Sequence, residues 1–193
     1  MSLPFSLKYS AGPLFIALCS VVAFFFEPMS GNYLAYDRYA IQGLETWRIV
    51  SGNIVHTNGY HLLLNLAGLA LLWALHGEHY RIGLYLRVFV WCCLGTSVGL
   101  YFFSPDLIWY AGLSGVLHGI FAWGACVDIK EKMKSGWLLL IGLAIKVGYE
   151  QIDGSSEQVA NLIDAKVAVD AHLFGALTGI AIFLLMFITA KRK

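Results

Sequence analysis

Six long apolar stretches, nearly free of charge, alternate with short polar ones along this chain: residues 11–26, 59–75, 84–103, 108–127, 137–149 and 167–190. A run of about 20 apolar residues suits a helix crossing a ~30 Å hydrocarbon core. Lipid offers backbone groups no partners, so each run is predicted to be helical. The expected fold class is an all-α membrane protein, a six-transmembrane-helix bundle forming a single domain over residues 1–193. The first run ends at Phe24-Phe25-Phe26-Glu27 with no small-residue cleavage site, so it is expected to stay as an anchor. No internal repeat is visible, which weighs against an inverted-repeat transporter. Segment 27–58 departs from the pattern. It is long, yet carries Tyr33, Leu34, Tyr36, Tyr39, Ile41, Leu44, Trp47, Ile49 and Val50. Aromatics of this kind favour the headgroup level, so this loop is expected to lie in the membrane interface, the alternative being a small periplasmic lid without membrane contact.

Composition sharpens the class. Hydrophobic residues make up 59% and charged residues 13%, against ~45–50% and ~25% in soluble domains. This excludes a disordered chain, a basic-faced nucleic-acid binder and a disulfide-rich secreted domain. The net charge of +1 implies no partner. Cys19, Cys92, Cys93 and Cys126 all fall inside apolar stretches with no CxxC spacing, so neither a disulfide nor a metal site is expected of them. Charge also orients the chain. With a cytoplasmic N-terminus, the inner side holds Lys8, Arg81, Arg87, Lys130, Lys132, Lys134, Lys191, Arg192 and Lys193, and the outer side only Arg38, Arg48 and Lys166. Nine against three predicts both termini inside. Lys146, in the fifth run, is expected to snorkel to the outer interface toward Glu150, one turn on.

Polar groups inside spans are costly and are functional suspects. They cluster at three places: His56, His61 and Asn65; Gly112-Leu113-Ser114-Gly115-Val116-Leu117-His118-Gly119; and Asp170-Ala171-His172-Leu173-Phe174-Gly175, continuing to Gly179. The second, fourth and sixth runs cross in the same direction, and each cluster opens its run. All three therefore reach one depth, as a single buried site requires. His61 and Asn65 share a helix face, as do Ser114 and His118. Gly115/Gly119 and Gly175/Gly179 are small-xxx-small pairs that let helix backbones approach. A close approach would bring Ser114 to His172. Gly112 also lets a substrate backbone come near. If a helix begins at Ser114, its N-terminal end faces the site with unpaired N–H groups.

A serine becomes a nucleophile when a neutral histidine takes its proton. Ser114 and His172 are the candidate pair, with His61, Asn65 and the Ser114 backbone N–H as oxyanion donors. No third member is evident: Asp170 points away from His172 on a helix and could orient the ring only if the helix starts later. His76 and His79, in the inner loop, are read as packing or solvated groups, and His56 as loop support. Four intramembrane histidines also fit a haem or metal ligand set in a membrane carrier.

These motifs together resemble the rhomboid intramembrane serine proteases over most of the chain. The order runs Trp47-Arg48, His56/His61/Asn65, Gly112-Leu113-Ser114-Gly115, then Ala171-His172 with Gly175 and Gly179. The resemblance implies Ser114 as nucleophile, His172 as base, and His61 and Asn65 as oxyanion stabilisers. It also implies Glu78 as an acid bracing the first loop, and substrate access from lipid beside the fifth helix. Rhomboids commonly carry a tyrosine four residues after the serine, stacked on the histidine; here it is His118. That departure, with Tyr36-Asp37-Arg38 and the compact length, looks like the rhombosortase branch. His118 then orients His172, carries a second proton, or acts as a ring-stacking spacer. The branch implies a bacterial inner-membrane enzyme facing the periplasm. It would cleave the C-terminal transmembrane anchor of proteins with a Gly-Gly sorting signal, by hydrolysis or by transfer to a lipid-derived amine. A general rhomboid with other single-span substrates is the alternative. No cofactor and no nucleic-acid partner are implied.

Overall fold

The computed structural model describes residues 3–191; Arg192 and Lys193, both in the inner-side charge count, lie outside the described residues. In chain order the elements are α1 (Leu7–Phe25), α2 (Met29–Leu34), β1 (Tyr36–Asp37), α3 (Arg38–Gln42), α4 (Arg48–Ser51), α5 (Gly59–His76), α6 (Ile82–Phe103), β2 (Trp109–Tyr110), α7 (Ser114–Lys130), α8 (Lys134–Asp153), α9 (Glu157–Ile163) and α10 (Val169–Lys191). Among the described residues, four segments are long and apolar enough to cross a membrane: Leu7–Phe25, Gly59–His79, Ile82–Phe103 and Val169–Thr189. The protein is an integral membrane protein. The other two expected spans differ for physical reasons. α7 has 17 residues. α8 carries Lys134, Lys146, Glu150 and Asp153, which dilute its apolar character.

The fourth run was expected from residue 108, but its helix starts at Ser114. Gly112 has φ 137°, a conformation that side chains resist, and the chain turns there before winding into α7. Ahead of that turn, Trp109 and Tyr110 pair antiparallel with Asp37 and Tyr36.

α7 is the central post. Gly115, Val116, Leu117, Gly119, Ile120, Ala122, Trp123, Gly124, Ala125 and Cys126 are all buried. α6 supplies Val88, Phe89, Cys92 and Cys93 to the same core. On the α10 side, contact is backbone to backbone. A Cβ on Gly175 would overlap the Gly115 carbonyl, and one on Gly179 would overlap the Gly119 carbonyl. α8 packs Leu143 and Val147 against Ala122 and Ala176. Near its start, Gly136 lies so close to α7 that a Cβ would press on the Ala125 carbonyl.

The first loop is a folded unit, not a uniformly interfacial ribbon. Tyr33, Tyr39, Leu44 and Trp47 are exposed, whereas Tyr36 and Ile41 are buried. Two arginines hold it. The Arg48 guanidinium donates to Ala35 O (2.8 Å), Asn32 O (2.9 Å) and Glu45 Oε2 (2.7 Å). Trp47 Nε1 donates to Tyr33 O (3.0 Å). The Arg38 guanidinium donates to the carbonyls of Leu100, Tyr101, Ser104 and Leu107, at 2.8–3.1 Å. Tyr101 O has no helical partner, because Pro105 one turn on carries no N–H; Leu100 O also accepts from Ser104 N–H, and Ser104 O from Leu107 N–H.

Glu78 does not brace this loop. It follows the far end of α5, 17 positions past His61, so it sits a helix length away. Its side chain is 63% exposed, with His79 Nε2 at 3.9 Å; the acid on Arg48 is Glu45. His76 is no loop residue. It is fully buried at the end of α5, with Nε2 3.3 Å from Asp128 Oδ2.

Candidate active site

Ser114 is the first residue of α7, so its backbone N–H has no acceptor within the helix. Its hydroxyl lies 2.9 Å from His172 Nε2 on α10. The glycine contacts described above make this meeting possible, because each helix leaves the other no side chain to push against. His172 is 4% exposed. The pair opens onto a cleft of about 940 Å³ that is also lined by Thr57, His61, Asn65, Gly68 and His118. Leu64, Leu71, Leu75 and Phe121 make part of its wall apolar. Val159 and Ile163 of α9 border it. The Thr57 hydroxyl donates to Ile163 O (2.6 Å) and Asn58 Nδ2 to Leu162 O (3.0 Å), which ties α9 to the start of α5.

α5 brings two donors to this cleft. Asn58 caps the helix by accepting from His61 N–H (2.8 Å). His61 then faces Gly112, where a Cβ would stand 2.8 Å from His61 Nε2. With the ring proton on Nε2, Nδ1 accepts from Thr57 N–H (3.4 Å). One Asn65 amide proton goes to His61 O (3.0 Å), which leaves a second one. His56 does not reach the pair. Its ring stands edge-on to His61, with centroids 5.0 Å apart. Both its nitrogens are buried. Burial, then the neighbouring His61, pushes it from its ordinary 6.5 down to about 3.

His118 stacks on His172, with centroids 4.1 Å apart and planes at 11°. Its Nδ1 lies 2.7 Å from Ser114 O. A carbonyl only accepts, so Nδ1 carries the proton and Nε2 offers a lone pair. Lys146 Nζ fills that acceptor at 2.6 Å.

Asp170 accepts from Ser104 Oγ at 2.5 Å and takes no part in orienting His172. The acid at the ring is Glu150, with Oε2 2.9 Å from His172 Nδ1. Sequence reasoning missed it. The available signal was the Lys146–Glu150 pair, two charges one turn apart in an otherwise apolar run. Lys146 does pair with Glu150 (2.9 Å) but also turns into the site, where Nζ lies 3.3 Å from His172 Nδ1.

Ligand atoms of His118, Glu150 and His172 lie within 4.8 Å of one another, a spacing that suits a metal ion. The Lys146 ammonium stands within 2.6–3.3 Å of all three. A tethered cation thus already occupies the gap.

A hydroxyl held against a buried imidazole, beside N–H donors at a helix start, has the parts that acyl transfer needs. Among curated proteins, no match was found. A family model described as Rhomboid domain matches residues 43–189, a stretch that contains Ser114, Glu150 and His172.

Proposed function

This chain belongs to the Rhomboid family, whose members are intramembrane serine proteases, and on that premise we propose that Ser114 and His172 cleave a membrane-anchored protein within the bilayer. The observation that carries the assignment is the 2.9 Å contact between the Ser114 hydroxyl and His172 Nε2, at the first residue of a helix. His172 Nε2 takes the hydroxyl proton as Oγ attacks a peptide carbonyl. The tetrahedral oxyanion is stabilised by the Ser114 N–H, His61 Nε2–H and the free Asn65 amide proton. His172 then returns the proton to the departing amine, and an acyl-enzyme remains. Water or another amine, deprotonated by His172, releases the acyl group. Loss of one oxyanion donor typically costs ~10²–10³ in rate.

The finer reading is a rhombosortase-like enzyme that removes a C-terminal transmembrane anchor of the Gly-Gly type from exported bacterial proteins. The Gly112–Gly119 segment with His118 after the serine supports it. In this reading the chain is one domain, α7 and α8 also cross, both termini are cytoplasmic, and the site faces the periplasm of the inner membrane. The uneven distribution of Lys and Arg supports that orientation.

A fluorophosphonate probe tests the nucleophile. Wild type should be labelled, and Ser114→Ala and His172→Ala should not. Labelling that persists in Ser114→Ala refutes the assignment. Mass spectrometry of a cleaved substrate separates the two resolutions of the acyl-enzyme. A free carboxylate as the sole product rules out transfer to a lipid-derived amine.

A further inference from the structure

The reacting pair takes one residue from α7 and one from α10. Two charged residues of α8 also point into the site. Glu150 is 12% exposed at its side chain, in a chain whose apolar helices make buried charge expensive. Its carboxylate contacts His172 Nδ1 at 2.9 Å and Lys146 Nζ at 2.9 Å.

Nδ1 of His172 faces opposite demands. The carboxylate accepts a proton, whereas the Lys146 ammonium, at 3.3 Å, donates one. The carboxylate is nearer, and the ammonium has shorter acceptors in His118 Nε2 (2.6 Å) and Glu150 Oε2. The proton therefore sits on Nδ1, and the lone pair sits on Nε2, where Ser114 needs it. Once Nε2 takes the serine proton, the ring is cationic and the same carboxylate lies against it.

We propose that Glu150 is the positioning carboxylate of a Ser114–His172–Glu150 triad, and that Lys146 holds both that carboxylate and His118 in place. The inference rests on the reading of Ser114 and His172 as the reacting pair. It makes α8 part of the catalytic assembly. Its inner part is fixed by Gly136 and its outer end is fixed by these hydrogen bonds. A carboxylate that sets the tautomer of a catalytic histidine is worth about 10⁴ in turnover.

The experiment compares wild type, Glu150→Gln, Glu150→Asp, Lys146→Met and Ser114→Ala in the same detergent, each with its thermal midpoint measured. The readouts are the fluorophosphonate labelling rate, kcat and KM on a single-span substrate, and the low-field proton resonance of an Nδ1–H donated to a carboxylate. Glu150→Gln should slow labelling and kcat by at least about 100-fold with KM little changed, and the resonance should vanish. Glu150→Asp should recover part of the rate and the resonance. Lys146→Met should keep the resonance and lose less activity. Ser114→Ala should keep the resonance while losing all labelling. Glu150→Gln that labels at the wild-type rate, or that keeps the resonance, overturns the triad and leaves the Ser114–His172 pair standing. Folded wild type that does not label defeats the serine reading instead, and the resonance still judges Glu150.

Discussion

His118 is held at both ring nitrogens, by the Ser114 carbonyl and by Lys146, while its face lies on His172. His118→Phe keeps the stack and loses both hydrogen bonds. A hydrogen bond to a charged group such as Lys146 is worth ~1.5–3 kcal/mol, so the thermal midpoint should drop, and kcat/KM should fall at least about tenfold. Steady-state kinetics on a single-span substrate checks this. His56 gives a pH prediction. Burial holds it near 3 in the folded state against 6.5 in its ordinary state. Below about 6.5 the unfolded chain binds a proton that the folded chain refuses, so His56's contribution is complete above that pH and is lost as pH falls toward 3. Thermal midpoints should drop between pH 7.5 and pH 5, and the drop should be smaller in His56→Phe. Ser114 and His172 were legible because each sits in a local glycine motif. Glu150 was not, because its partner lies 22 positions away on another helix and no local spacing encodes that meeting.

At the scale of elements, four of the six apolar runs were readable as long apolar helices, because a helix in lipid needs a long uncharged stretch. The irregular pieces were not. β1 and β2 are two residues each and pair across more than 70 positions, so periodicity had nothing to register. The start of α7 was not fixed by the sequence: its run was expected from residue 108, whereas Gly112 turns the chain with a positive φ and the helix begins at Ser114. The contact between α7 and α10 rests on four glycines, and it tolerates no added atom. Gly175→Ala places a Cβ on the Gly115 carbonyl, and overpacking of this kind costs ~1–3 kcal/mol. The helices must part, so fluorophosphonate labelling should fall more than tenfold and the thermal midpoint should drop. Gly142→Ala, on α8 where a Cβ meets nothing within 4 Å, should change neither.

At the scale of the molecule, Arg38 couples distant parts. The sequence counted it as one of three outer charges, yet it is 8% exposed and satisfies the end of α6. The adjoining strand pair, Tyr36–Asp37 with Trp109–Tyr110, leads straight into Gly112 and Ser114. Arg38→Ala takes the donor from the Tyr101 and Leu107 carbonyls, at ~1–3 kcal/mol for each unsatisfied group. It should lower the unfolding midpoint and slow labelling of Ser114, although residue 38 touches neither reacting group; Arg38→Lys should restore only part of both. The α7–α10 seam has a consequence of its own. Carbonyl oxygens seated on glycine Cα atoms form a hard stop, and a hard stop does not yield to lateral pressure. Bilayers of differing thickness can tilt the two rods as a unit, but the gap that the proton crosses is gauged by covalent dimensions and owes nothing to the surrounding lipid.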